Sequence, residues 1–461
     1  AQATHNETTF AMTPRVVILV ALTLLQPAAA RLGQKRQPFL VKLWKEHARN
    51  STKAVNATDS STSEAPHDHG RGYFVGSIYL GSPEPQEMHV VFSTTTGMVS
   101  LPSSNCSSAT CQEHHRYSAT KSQTSIDIQR DGSRVDPAGG RFAPDGAQRD
   151  TASLGFYTTN GVDTTGLEGN FVSERLCVGD RFGNTGKLEP VCATVSLVVA
   201  TSIQEATFRT RPQDGLVGLS LEGLSIAPHF NILHCFSSEG LQPFFGFYVE
   251  DDAKQAELVF GGFDRERFEP PLVWVPAAAP ELGHWLVDIV GIWVGTQKLD
   301  MCQVESCRGL IDTSSPGITM PEGLAPELMP LITPKKGGDE MCVLPDVSVD
   351  LQGGVKLTLR VEDYAGPRCE PEIRTHHFGK DIVGASLWLL GEPVLRRYYT
   401  VFDWGKERLG FALSKVERSC QRLTDIGLPA SDCAGSVEPM EDALVMLAEQ
   451  QDYALHRREE A

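Results

Sequence analysis

From Gly72 onwards the chain alternates apolar and polar positions in short runs, such as residues 73–81 (YFVGSIYLG) and 88–93 (MHVVFS), broken by Gly and Pro. A period of two residues is that of a half-buried strand, and many short runs between turn residues predict an all-β architecture. Helical periodicity is scarce until residues 437–455, where Ala443, Leu444, Met446, Leu447 and Leu455 predict an amphipathic surface helix after the last strand. Residues 134–151, rich in Gly, Pro and charge, read as a surface insertion, and the polar residues 50–71 as a linker.

The pattern is different ahead of the linker. Arg15 precedes the apolar run Val16–Leu25, and Ala28-Ala29-Ala30 closes it. This is the order of a secretory signal peptide, expected over Met12–Ala30 with Met12 as initiator. The run is too short to cross a bilayer, which takes about 20 apolar residues, and no later segment is long and apolar enough. A basic stretch follows, with Arg31, Lys35, Arg36, Lys42, Lys45, Arg49 and Lys53 against Glu46. The chain as a whole carries net charge −17, so the body after this stretch is strongly acidic, and a nucleic-acid partner is excluded.

At 461 residues and 41% hydrophobic, the chain is long enough for two to three globular domains. Eleven cysteines fit an oxidising route. Cys106 with Cys111 and Cys302 with Cys307 enclose tiny loops. Cys177 with Cys192, Cys342 with Cys369 and Cys420 with Cys433 are expected as longer pairs, though spacing alone leaves their connectivity open, and Cys235 is then expected to be a buried thiol. A zinc site is not expected, because there is no CxxC and no HxxxH-type partner. Asn50, Asn56 and Asn105 head glycosylation sequons.

One internal echo organises the body. Val90-Val91-Phe92-Ser93-Thr94-Thr95-Thr96-Gly97 ends a β run, and Gly309-Leu310-Ile311-Asp312-Thr313-Ser314-Ser315 does the same later. Each is followed by an apolar-apolar-Gly element, Leu216-Val217-Gly218 in the first case and Leu389-Leu390-Gly391 in the second. Four matched elements in order predict a duplicated β lobe.

On these residues the sequence resembles the pepsin-like aspartic proteases, peptidase family A1, over Gly72 to Val416. The turn Leu80–Gln86, the loop Ser103–Cys111, Leu258–Asp264 with Trp274-Val275-Pro276, and Leu390-Gly391-Glu392 with Arg397–Asp403 each match a family segment. The resemblance implies a bilobal pepsin-like fold with a central peptide-binding cleft. The lobes would span 72–250 and 251–418, after a pre-sequence (1–30) and a basic propeptide with linker (31–71), and before a C-terminal extension (419–461). It implies no cofactor and no metal, a monomer, and a basic propeptide that neutralises the acidic cleft. In that propeptide Phe39–Lys45 alternates apolar and cationic residues as a strand would. The destination implied is the secretory pathway, ending outside the cell or in an acidic vacuolar or lysosomal compartment.

Peptide hydrolysis in this family needs two carboxylates sharing one proton, one acting as acid and the other as base on a water held between them. Each Asp sits in an Asp-Thr-Gly turn. Here the second lobe keeps Asp312-Thr313 but has Ser314 in place of Gly, followed by Ser315. In the first lobe a gapless match from Gln86 to Ser103 puts Ser93 on the other catalytic Asp, with Thr94 beside it. A hydroxyl cannot share the dyad proton as an anion, and Asp312 alone would be an ordinary carboxylate. Ser100 stands where the family has Trp. Residues 154–171 resemble an extended flap, with Tyr157 as candidate for its tyrosine. The β-branched Thr95 and Thr96 predict a reshaped turn, since they resist the backbone angles Gly allows.

The expected function is therefore that of a secreted homologue of aspartic endopeptidases, catalytically impaired and binding peptide or protein in its cleft. The alternative is an active endopeptidase that uses Asp312 with a second carboxylate, for which Asp163 is the candidate. A serine hydrolase built on Ser93 lacks the G-x-S-x-G elbow, because Gly218-Leu219-Ser220-Leu221-Glu222 has no second Gly, and His234 reads as a packed or surface histidine.

Overall fold

Each alternating run becomes a strand because its apolar face must leave water. In Gly72–Leu80 and Gln86–Ser93, the side chains of Phe74, Ile78, Leu80, Met88, Val90 and Phe92 join the main core. Val75 and Val91 turn to the other face and pack with Leu216. The computed structural model describes residues 36–47 and 72–415, apart from 145, 159–160, 183–187, 204–207, 209–210, 305, 335–341, 367 and 378–382. The expected signal peptide, the linker, the Cys420–Cys433 pair and the helix over 437–455 lie outside the described residues.

The strands build two sheets, and the fold is all-β and bilobal. The larger runs Phe268–Pro276, Arg408–Ser414, Tyr398–Asp403, Phe244–Val249, Gln255–Phe260, Phe39–His47, Gly72–Leu80, Gln86–Ser93, Gly215–Gly218, Val99–Pro102, Leu188–Ile203, Gly161–Phe182 and Ile126–Ile128, with Thr151–Thr158 hairpinned onto Gly161–Phe182. The smaller runs Lys356–Leu359, Val347–Leu351, Leu286–Val294, Cys307–Ile311, Ser386–Leu390, Ile318–Pro321 and Ile373–His376, with Gln297–Leu299 beside Leu286–Val294. Residues 134–151 run without strands until Thr151, and most are exposed.

The sequence echo is a structural repeat. Gln86–Ser93 lies parallel to Gly215–Gly218, which lies antiparallel to Val99–Pro102. Cys307–Ile311 lies parallel to Ser386–Leu390, which lies antiparallel to Ile318–Pro321. In each case the apolar strand runs between the two arms of a strand–turn–strand unit. Its terminal glycine is required by contact: a Cβ on Gly218 would stand 2.4 Å from the backbone of Thr96 and Met98, and one on Gly391 would stand 2.4 Å from that of Ser315.

Phe39–His47 is inserted between Gly72–Leu80 and Gln255–Phe260, antiparallel to both. Phe39, Val41 and Leu43 enter the core while Lys42 stays exposed, as the alternation requires. Lys45 pairs at 2.7 Å with Glu392, which also holds Arg396 at 3.0 Å. Disulfides join Cys106 to Cys111, Cys177 to Cys192, Cys302 to Cys307 and Cys342 to Cys369, and Cys235 is a buried thiol.

Candidate active site

Two turns meet where the repeats face each other. Ser93 ends its strand opposite Gly218, and Asp312 follows Ile311, which is opposite Leu390. The residues after each strand, Thr94 and Thr313, are buried and clasp one another. The Thr94 hydroxyl donates to the Ile311 carbonyl at 2.7 Å and accepts from the Thr313 N–H at 3.1 Å. Reciprocally, the Thr313 hydroxyl donates to the Phe92 carbonyl at 2.7 Å and accepts from the Thr94 N–H at 3.2 Å. Four buried hydrogen bonds, equal in pairs, hold the two turns at fixed separation.

The turns themselves correct one expectation. Thr94-Thr95 and Thr313-Ser314 occupy the same turn positions, each followed by a bend and the return strand. Among the described residues, neither Thr95, Thr96 nor Ser314 takes a positive φ. The turn never asks for the left-handed region, so the β-branched side chains fit it without reshaping.

The chemistry at the centre is a chain of hydroxyls ending on one carboxylate. The Ser93 Oγ lies 2.8 Å from the Thr95 hydroxyl and 3.0 Å from the Ser314 hydroxyl. Ser314 donates to Asp312 Oδ1 twice, from its hydroxyl at 2.6 Å and from its N–H at 2.8 Å. Thus Ser93 reaches Asp312 through Ser314, the side chain that stands where a glycine would leave space. Ser315 turns its own hydroxyl to the Gly317 carbonyl. Among the described residues no second carboxylate hydrogen-bonds to Asp312.

Asp312 is not the ordinary carboxylate the sequence suggested. It is 6% exposed, and burial pushes its pKa above the usual value. The two Ser314 bonds, the Arg211 guanidinium and the Ser315 N–H oppose that shift without cancelling it. A group held this way takes up a proton more readily than a solvated Asp.

The pair opens on a cavity of about 600 Å³, lined from both repeats and from Ser153–Gly155 of the hairpin Thr151–Thr158/Gly161–Phe182. Ser100 also lines it, so the position expected to hold Trp contributes space and a hydroxyl. In the hairpin backbone Tyr157 pairs with Val162, and Phe156 with Asp163. The side chains of Tyr157 and Asp163 lie outside the described residues. His234 pairs instead with Glu222 at 2.8 Å, where both are exposed.

Among the cavity residues that the sequence did not point to are Arg211, Gln213 and His284. Arg211 and Gln213 immediately precede Asp214-Gly215, and His284 lies between Gly283 and Trp285. Their proximity to matched segments was the available signal, but none belongs to an alternating pattern that tells which way a side chain points. Burial keeps the His284 imidazole toward its neutral form.

A bilobal β scaffold with a strand–turn–strand repeat and threonine-braced turns facing a shared cleft defines the aspartic protease class. A family model described as eukaryotic aspartyl protease matches residues 183–414, half of the chain, and the chain belongs to that family. The match includes Asp312 and begins after Ser93. Among curated relatives, cathepsin E of Aquarana catesbeiana is 28% identical over 429 residues, covering 86% of this chain and 96% of that protein. Gastricsin of Mus musculus is 28% identical, with 87% and 99% covered. Pregnancy-associated glycoprotein 1 of Bos taurus is 26% identical, with 74% and 81% covered.

Proposed function

We propose that this protein is a secreted aspartic-protease homologue that binds peptide or protein in its cleft and hydrolyses it poorly or not at all. The observation that carries this reading is Ser93, a hydroxyl linked through Ser314 to the Asp312 carboxylate, which no second carboxylate joins among the described residues. Activating a water needs a base, and expelling the amine needs an acid. A carboxylate dyad supplies both because it holds one proton between two groups. Asp312 can hold a proton or lack one, while Ser93 remains a neutral hydroxyl in either state. Losing general acid–base help typically costs about 10²–10⁴ in rate.

The rest of the cleft supports binding. Threonine bracing, the cavity and the hairpin beside it are all present. The four disulfides among the described residues fit maturation in an oxidising compartment. No helix among the described residues is long and apolar enough to cross a membrane. We read Phe39–His47 as the first strand of the propeptide. Its Lys45 meets Glu392 rather than Asp312, so this cation is used at the sheet and not at the dyad position.

The test is an assay of the purified mature form on denatured protein between about pH 3 and 6. This reading expects no pepstatin-sensitive cleavage above background. Cleavage at ordinary protease rates, abolished by Asp312→Asn, would establish the alternative of a working enzyme with a second carboxylate. Loss through Asp163→Asn would name that carboxylate.

A further inference from the structure

Arg211 brings a positive charge into a cleft whose described lining is otherwise hydroxyls, apolar side chains, the Gln213 amide, the His284 imidazole and the Asp312 carboxylate. Its guanidinium lies over the rings of Tyr73 and Phe208, with centroids 5.6 and 5.5 Å away, and lines the same cavity as Ser93 and Asp312. Among the described residues no Asp or Glu forms an ion pair with it. Aromatic faces on this side chain fix the plane of the fork and leave its N–H groups for a partner.

A second observation points the same way. Gln213, two residues on, is 1% exposed, and among the described residues neither its amide nitrogen nor its amide oxygen has a hydrogen-bond partner. It also lines the cavity. Buried amides are nearly always paired, so one donor and one acceptor in the same cavity as a guanidinium that has no ion pair among the described residues are groups awaiting a ligand. His284, which lines the same cavity, has another buried nitrogen, Nδ1, without a hydrogen-bond partner among the described residues.

We propose that Arg211 is a specificity-determining residue that makes this cleft select peptides bearing a carboxylate close to the Ser93–Asp312 centre. The guanidinium fork matches a carboxylate in a bidentate pair, and the Gln213 amide offers a donor and an acceptor to the adjoining peptide group. The carboxylate can belong to an acidic side chain or to a peptide C-terminus, and the chemistry at Arg211 is the same for both. This inference rests on the reading of the cleft as a peptide-binding site.

The experiment measures binding of four labelled peptides to the full chain by fluorescence anisotropy. The peptides carry a central Glu or Gln, each with a free or an amidated C-terminus. The carboxylate form should bind about tenfold tighter than its amide counterpart. A difference between Glu and Gln assigns the side chain, and one between free and amidated termini assigns the C-terminus. Arg211→Gln should remove the preference while still binding the amides. Arg211→Lys, which keeps charge without the fork, should retain a fraction of it and covers the case in which Arg211→Gln unfolds. Equal binding of all four by the parent, or a preference unchanged in both variants, overturns the role of Arg211 and leaves peptide binding standing. Failure of every peptide to bind removes the peptide-cleft reading and this inference together.

Discussion

The hydroxyls of Ser93 and Ser314 lie 3.0 Å apart, and this contact joins the first repeat to the only carboxylate at the centre of the cleft among the described residues. Two substitutions are thereby coupled. Serine at 93 removes a charge, and serine at 314 fills the space a glycine would leave and satisfies both Asp312 and its new neighbour. A carboxylate restored at 93 would meet the Ser314 hydroxyl first.

That geometry predicts the effect of clearing the bridge. Ser314→Gly removes one hydroxyl hydrogen bond that opposes the upward pKa shift of Asp312, so the carboxyl should titrate higher still. The comparison is an NMR titration of the Asp312 side chain in the parent and the variant. An unchanged or lowered pKa would show that the Ser314 hydroxyl does not stabilise the anion.

The threonine clasp should be worth more than its exposed counterparts elsewhere. Thr94→Val and Thr313→Val each strand a buried carbonyl and a buried N–H. Each should lower the unfolding free energy by about 2–6 kcal/mol, from penalties of about 1–3 kcal/mol for each of two orphaned groups. Because both act on one network, the double variant should lose less than the two single losses added together. Urea unfolding measures all three.

Asp312 also sets a pH dependence of stability. Its folded-state pKa is raised, so the protonated form is the one folding favours. Its contribution is full below the unfolded value near 3.8 and is lost as pH rises through the folded pKa. Asp312→Asn does not titrate and keeps an oxygen to accept from Ser314. The variant should therefore gain stability relative to the parent as pH increases from about 3 to 7, read from unfolding curves at each pH. A difference that stays flat or reverses would contradict the shift.

The Lys45–Glu392–Arg396 group predicts an asymmetry. Glu392 serves two cations and is 7% exposed at its side chain, with Lys45 at 15% and Arg396 at 6%. Glu392→Gln leaves the buried Arg396 and the half-buried Lys45 without this anion, and should cost about 3–5 kcal/mol. Lys45→Met leaves Glu392 still paired with Arg396, and should cost distinctly less. Thermal unfolding of both variants decides the order.

Much of this was legible in the chain because the fold repeats itself. The β alternation, the paired turns and the apolar-apolar-Gly strands are local patterns, and each became the element its period implied. Ser93 and Asp312 were singled out because similar neighbours, two apolar residues before and a threonine after, surround them. Arg211, Gln213 and His284 were not, since they project from irregular segments where no period assigns a face. The Ser314 bridge was hidden for another reason. A residue name shows that a hydroxyl replaced a hydrogen, but only the folded turns show that the hydroxyl reaches across to Ser93. The reshaped turn failed as an expectation because it assumed a left-handed backbone that neither turn adopts.

The most direct measurement is the acid proteolytic activity of Ser93→Asp beside the parent, with pepstatin as control. If the braced scaffold is sound and lacks only its second carboxylate, the variant should cleave denatured protein at least about 10²-fold faster than the parent, in a pepstatin-sensitive way. A parent already as active as the variant would contradict the account.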